Sequence, residues 1–455
     1  MDTRSETTVR DGRRTGVGFA VTHRLVLSIA IPMTIGFVTT PLLGLTDTAV
    51  VGRTGSAEAL AGLAIGAVLF DLLFGSLNFL RASTTALVAQ AFGRGDQCEQ
   101  QAVFWRSFLL AIAFGLVIVL ASPLLLSAGL ALLGPEGRVA EATVTYFSIR
   151  ILAGPFSLIN FTLLGFVLGR GRGTTGLFLQ ALLNGTNIAL SVYLGLMLGW
   201  GIAGVAWGTV IGEGVAVVVG LAIVVLGFDR EKAPRIAAIF ARSRLIALIA
   251  INRDLLIRTF VLLGAFTLLT RIGNGFGPVA LAANAVLMNF FMVASFYLDG
   301  MANAAEQIAG RAIGAGDRQA FDRAVKLTAL WSFGLALVTA VLFLVFGHAA
   351  IAVLTTAKEV RTLAGEYLPW AALTAVTGAL AFQMDGIFIG ATWSREMRNM
   401  MLAAFGGYLV ALAALVPPLG NHGLWLALNL FLALRGLLLV SLLRGKRDQT
   451  FAASQ

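Results

Sequence analysis

Cysteine, histidine and charge are all scarce in this chain of 455 residues. Cys98 is the only cysteine, so an intrachain disulfide and a thiolate metal cluster are both excluded. The three histidines, His23, His348 and His422, lie far apart and form no H-x-x-x-H or H-E-x-x-H spacing. The glycine-rich run from Gly165 to Gly176 (GFVLGRGRGTTG) lacks the Lys-Ser/Thr ending of a phosphate-binding loop and reads as a tight basic turn. With no nucleotide site, metal cluster or nucleophile–base pair, an enzyme is not expected, and neither is a cofactor. Only 12% of residues are charged, against about 25% in soluble domains. A soluble enzyme, a disordered chain and a conventional nucleic-acid-binding domain are therefore excluded.

What is present is apolar sequence. Hydrophobic residues make up 58% of the chain, and the mean hydropathy is +0.87. A core cannot hide that much apolar surface from water at this size. A membrane helix needs about 20 apolar residues, and apolar runs separated by short Gly, Pro and charged punctuation predict about twelve. Period-two strands of a β-barrel are missing. The expected fold class is all-α and integral to the membrane.

The formal charge of +10 follows topology. With both termini placed in the cytoplasm, 24 of the Lys and Arg residues fall on that side and four (Arg53, Arg138, Lys358 and Arg361) on the other. That asymmetry is the positive-inside signal. It predicts a cytoplasmic tail over 1–24, a six-helix lobe over 25–227, a basic cytoplasmic linker over 228–252, a second six-helix lobe over 253–443 and a cytoplasmic tail over 444–455. The stretch 1–24 does not read as a cleaved signal peptide, because a full-length span follows it.

The two halves register on one another at a single constant offset. Ala59-Leu60-Ala61 falls on Ala280-Leu281-Ala282, Gly93-x-Gly95-Asp96 on Gly314-x-Gly316-Asp317, and Tyr146 on Tyr367. Phe161, Gly165 and Gly169 fall on Phe382, Gly386 and Gly390, and Leu198-Gly199 on Leu419-Gly420. Six spans per half make the repeat parallel, about an axis along the membrane normal. Two such bundles enclose a central cleft, and rocking one against the other alternates its access.

Longer stretches carry a family resemblance. They are Ile31-Pro32-Met33, Leu45-Thr46-Asp47-Thr48, Asn252-Arg253-Asp254 with Arg258-Thr259, and the runs ALAANAVLMN (280–289), LDGMANAAEQIAGRAIGAGD (298–317) and FQMDGIFIGATWSREMRNM (382–400). Over essentially its whole length the chain resembles the multidrug and toxic-compound extrusion (MATE) family, in its DNA-damage-inducible F branch. The resemblance implies two six-helix lobes around a V-shaped cleft. It also implies efflux of organic compounds in exchange for protons or sodium.

Ionisable groups inside spans are costly and usually functional or paired. Asp47 lies six residues after Pro41, and Gly44 between them eases bending, so Pro41 and Gly44 are the expected hinge. A carboxyl group favours its neutral form in a dry site and its charged form in water. A helix that carries it between the two couples a proton to its own shape. The resemblance places the ion-coupling aspartate at Asp47, with a helix 5 Asn, an Asp four residues on and a helix 6 Thr nearby. Asn187 and Thr209 match, but Ser191 stands where the second acid is expected. Sodium wants several hard oxygens and compensating charge, for which Asp47, Asn187 and Thr209 remain available. A proton needs one carboxylate, so proton coupling is favoured. Glu213, one turn beyond Thr209, is either the missing acid or a protonated packing group.

Asp299, Asn303 and Glu306 share one face of helix 8. Asp385 in helix 10 adds another acid, and Arg258 and Arg271 in helix 7 are candidate partners. This second charge network either locks the C-terminal lobe or forms a substrate or proton site. Asp71 and Arg150 carry no assigned role. The expected substrates are small organic compounds, cationic or amphiphilic. The alternatives are a sodium-coupled antiporter and a lipid-linked-substrate flippase of the same superfamily. Membrane lipids are the expected surroundings, nucleic acid is not an expected partner, and a monomer in the bacterial cytoplasmic membrane is anticipated.

Overall fold

The computed structural model describes residues 19–452, which are helical almost throughout. The first half contains α1 (His23–Gly52), α2 (Ala57–Gly93), α3 (Gln97–Leu120), α4 (Gly137–Gly169), α5 (Gly173–Met197) and α6 (Gly201–Leu226). A shorter apolar helix, Ser122–Leu133, continues α3 beyond a break at Ala121, with Pro123 in its first turn. The second half contains α7 (Arg242–Asn274), α8 (Pro278–Ala315), α9 (Arg318–Leu354) and α10 (Lys358–Gly390). One further helical stretch, Ser394–Ala452, is broken at Gly420 by a backbone φ of 55°, which divides it into α11 (394–419) and α12 (421–452).

The repeat predicted from sequence is built into the helix boundaries. Ala57, Gln97, Gly137 and Gly173 open helices in the first half. Their repeat equivalents Pro278, Arg318, Lys358 and Ser394 open helices in the second. Gly199 and Gly420 are likewise equivalent, and both have positive φ (71° and 55°), where an L side chain is strained. The caps repeat too. Asp96 accepts from the Glu99 amide at 2.9 Å, and Asp317 from the Ala320 amide at 2.8 Å, each satisfying an orphan donor at a helix start.

Outward faces are apolar and uncovered. On α9 alone Leu330, Leu337, Val341 and Val345 are exposed, a surface suited to lipid and not to water. The stretch anticipated as a linker, 228–252, is partly helical. Short turns occupy Arg230–Lys232 and Ile236–Ile239, and α7 already begins at Arg242. Apolar residues from Leu245 onward carry the helix back through the loop. Similarly α12 continues to Ala452, through most of the stretch anticipated as a tail. The anticipated N-terminal tail lies mostly in residues 1–18, outside those described.

The lobes meet where α1 and the second part of α2 pack against α8. Small residues make the approach possible. A Cβ on Gly93 would sit 2.1 Å from the Arg311 carbonyl, one on Gly314 2.0 Å from the Gln90 carbonyl, and one on Gly300 2.1 Å from the Thr34 hydroxyl. Gly93 and Gly314 lie at the ends of α2 and α8 toward both termini, and Gly300 and Thr34 lie within the interiors of α8 and α1. Two polar cavities flank this contact, one lined by the first lobe alone and one by residues of both lobes.

Candidate functional site

In the first lobe a buried hydrogen-bonded chain gathers the predicted residues. Ser191 Oγ lies 2.9 Å from Asp47 Oδ1 and 3.2 Å from Asn187 Oδ1, so its single proton is shared between two acceptors. Asn187 Nδ2 donates to Thr209 Oγ1 at 3.1 Å. Asp47, Asn187, Ser191 and Thr209 are all buried. The helices come together closely enough because α6 carries glycines where it crosses α5: a Cβ on Gly208 would meet the Ser191 amide at 2.8 Å, and one on Gly212 would meet Asn187 at 3.1 Å. Asp47 is the only carboxylate hydrogen-bonded in this chain of four. Around it α1 is an uninterrupted helix through both Pro41 and Gly44, and Gly44 has open space beside it.

Glu213 belongs to a different group. Its carboxylate accepts from Ser157 Oγ at 3.1 Å and from Asn160 Nδ2 at 2.5 Å, both on α4. It faces a cavity of about 380 Å³ that Asp71, Arg150 and Arg81 also line, with Phe37, Phe70, Phe74 and Phe161 as apolar walls. Asp47 lies outside that lining. Arg150 donates to the Tyr146 hydroxyl and lies 4.7 Å from the Phe70 ring centroid. Among the described residues it is the one cation in electrostatic reach of Asp47, Asp71 and Glu213 together. Arg81 is engaged elsewhere, so three carboxylates share a single guanidinium.

The second lobe holds a cavity of about 600 Å³, lined by Asp299, Asn303, Glu306, Asp385, Arg258 and Arg435 among others. Its centre is Asp385, paired with Arg258 and, at 2.6 Å, with Arg435. Asp299 opens into the cavity, and its carbonyl accepts from Asn303 Nδ2 at 2.7 Å. With Arg81 of the first lobe, which also lines it, three carboxylates face three guanidiniums here. Arg271 stands apart: it is exposed near the end of α7 and makes no ion pair among the described residues. Asp254, from the motif at the start of α7, pairs instead with Arg398 at 2.7 Å.

Sequence reasoning did not assign Arg435, Arg81, Ser157 or Asn160. Arg435 and Arg81 were visible as charges within spans, but their partners, Asp385 and Glu306, belong to other helices far along the chain. Periodicity within one helix does not reveal such pairs. Ser157 and Asn160 carried no signal beyond being polar in an apolar run. Among the described residues no group of three His, Cys, Asp or Glu side chains is placed to hold a metal ion.

The family model described as MatE matches residues 32–193 and again 255–415, once per lobe. The DNA damage-inducible protein F of Escherichia coli K12 is 37% identical over 418 residues, covering 91% of each chain. A probable multidrug resistance protein NorM of Rhizobium meliloti is 27% identical and covers 87% of each. A solved MATE transporter, described as outward-facing, superposes with a TM-score of 0.83 at 18% identity, covering 95% of this chain and 96% of that one. With two matched lobes of six helices around a polar cleft, the chain belongs to the MatE family of multidrug and toxic-compound extrusion transporters.

Proposed function

We propose that this protein is a proton-coupled antiporter that exports organic cations or cationic amphiphiles across a bacterial cytoplasmic membrane, working as a monomer with both termini in the cytoplasm. The observation that carries the reading is the charge imbalance in the first lobe. Asp47, Asp71 and Glu213 share Arg150, so the lobe is short of positive charge by two when all are ionised. Two bound protons, or one proton and a singly charged cationic substrate, supply what is missing. Phenylalanine walls beside Asp71 and Glu213 suit an apolar body bearing a positive head. Asp47 sits behind that cavity with one neutral hydrogen-bond partner, Ser191, and the Asn187 amide nitrogen beyond it is already spent on Thr209. One carboxylate in so closed a chain favours a proton over sodium, which needs several free oxygens and more negative charge.

Transport then follows by exchange. Protons entering from the open end of the cleft neutralise the first lobe and release the cation there. Rocking the lobes exposes Asp47 to the cytoplasm, where it loses its proton and the negative lobe takes a new cation.

The test is efflux of a fluorescent organic cation from liposomes containing wild-type or Asp47→Asn protein, under an imposed proton gradient or an imposed sodium gradient. Proton-driven efflux abolished by the substitution is expected. Efflux driven by sodium alone would overturn proton coupling and turn attention to Glu213 as a second acid. Efflux absent under both gradients with an organic cation would reject the substrate class and favour a lipid-linked substrate.

A further inference from the structure

The lobes are joined by one ion pair among the described residues. Arg81 on α2 places Nη1 3.8 Å from Glu306 Oε2 on α8, and the same nitrogen donates to Asn303 Oδ1 at 2.5 Å. Arg81 Nε is anchored in its own lobe by Asn78 Oδ1 at 3.0 Å. The pair is buried, with side chains 11% and 3% exposed. Arg81 lines both cavities, and Glu306 stands on α8 between Gly300 and Gly314, two points of the close-packed seam. Elsewhere the seam holds mainly by close packing and neutral hydrogen bonds, as between Gln90 Nε2 and the Gly390 carbonyl at 3.0 Å. Glu306 Oε1 has no hydrogen-bond partner despite its burial.

We propose that Glu306 is a second proton-carrying residue and that its ion pair with Arg81 is the latch that closes the lobes at the termini end. Ionised, Glu306 holds Arg81 across the seam. A proton from water in the open cleft binds at the unpartnered Oε1, and the carboxyl loses its charge. The cross-lobe attraction then falls to the Asn303 hydrogen bond. The lobes part at the termini end, Glu306 meets water there, and the proton leaves to that side. Re-ionised, it re-forms the pair when the lobes close again. The path runs in the direction that Asp47 exchange requires, so this proposal rests on that reading of the transport cycle.

Other groups around Glu306 are accounted for. Arg81 comes from α2 and Asp299 from its own helix. The Thr85 hydroxyl on α2, also beside the carboxylate, donates to the Arg81 carbonyl at 2.9 Å. Arg258 from α7, Asp385 from α10 and Arg435 from α12 line the same cavity, and both guanidiniums are paired with Asp385. α1 packs along α8, and its Ala30 and Thr34 approach at Gly300.

The sequence repeat supplies the probe. Cys98 is exposed at the start of α3, and its repeat equivalent Gln319 is exposed at the start of α9. Spin labels on Cys98 and on Gln319→Cys report, by electron–electron double resonance, the separation of the lobes at the termini end. No substrate or gradient is needed, so failure of the antiport reading is read separately, in the liposome assay. In the labelled parent a short distance is expected at alkaline pH and a longer one at acid pH. Glu306→Gln should show the long distance at both, and the exchange Arg81→Glu with Glu306→Arg should restore the short one at alkaline pH. Asp47→Asn should keep the acid response. A parent-like distance and acid response in Glu306→Gln would overturn the proposal. So would loss of the acid response in Asp47→Asn, or failure of the charge exchange to restore the short distance.

Discussion

The two lobes share one backbone and have almost nothing of their chemistry in common. At the repeat offset, Asp47, Asn187, Ser191, Thr209 and Glu213 fall on Leu268, Tyr408, Leu412, Leu430 and Leu434. In the other direction Arg258, Asp385 and Arg435 fall on Phe37, Leu164 and Gly214, and Glu306 falls on Thr85. What repeats is what shapes the bundle: tight-packing glycines, a positive-φ glycine before the last helix of each lobe, and aspartate caps. What fails to repeat is each of these buried charges. The first lobe concentrates unbalanced acid, and the second balances its acids with arginines. A symmetric scaffold thus carries one lobe with a vacancy for positive charge and one whose acids are matched by arginines, Glu306 by Arg81 from across the seam. This is an arrangement for exchange in the first lobe and, around Asp385, for rigidity in the second.

The strongest way to break this comparison is to remove the central carboxylate from each lobe. Asp385→Leu leaves Arg258 and Arg435 facing each other without their shared partner. Stranding buried charge in this way costs about 3–5 kcal/mol, so a large fall in melting temperature is expected in detergent. Asp47→Asn removes a charge from a lobe that already has too much of that sign, and its neutral partners still find a hydrogen-bonding amide. Its melting temperature should stay near that of the parent while transport is lost. Equal destabilisation by both would show that Asp47 is structural, as Asp385 is.

The bundle was legible in the sequence because its causes are local or repeated. Span number follows from apolar run length, and the parallel repeat from islands such as Gly93-x-Gly95-Asp96. The grouping of Asp47, Asn187, Ser191 and Thr209 followed from resemblance, and Asp299, Asn303 and Glu306 from helical spacing. What stayed hidden was pairing between distant helices. Arg81 binds α8 across the seam, Arg435 reaches Asp385 from α12, and Glu213 turns to Ser157 and Asn160 on α4. Arg271, equally a charge in a span, turns outward. One helix face cannot say which neighbouring face it meets. The run 242–252, too charged to read as membrane span, is helix because α7 extends past the apolar boundary into its basic loop.

The shared framework gives a second, smaller test. Gly165 and Gly386 are repeat equivalents, and each lets one helix touch another. A Cβ on Gly165 would lie 2.6 Å from the Arg81 carbonyl, and one on Gly386 2.2 Å from the Ala302 carbonyl. Both neighbours are backbone, which yields little, so each alanine substitution should destabilise by about 1–3 kcal/mol. Gly386→Ala should be the worse of the two, its contact being the shorter. Thermal melts of the two variants side by side would show whether the scaffold is as symmetric in energy as it is in register; a large cost in one lobe and none in the other would refute that.

The smallest expected effect probes symmetry where no lobe-specific chemistry intervenes. Asp96 and Asp317 each follow a positive-φ glycine (Gly95 at 69°, Gly316 at 68°) and cap the next helix through nearly equal hydrogen bonds. Neither side chain forms an ion pair among the described residues. Replacing either with alanine removes one acceptor and leaves one amide at the helix start to water, a loss of about 1 kcal/mol. Because the two caps share geometry, Asp96→Ala and Asp317→Ala should lower the melting temperature by similar small amounts, and neither should alter the coupling ion. Since the sites are far apart, the double variant should show the sum of the two. A double variant well beyond that sum would mean that the helix starts at the termini end are coupled through the seam, and the lobes would no longer count as independent copies of one framework.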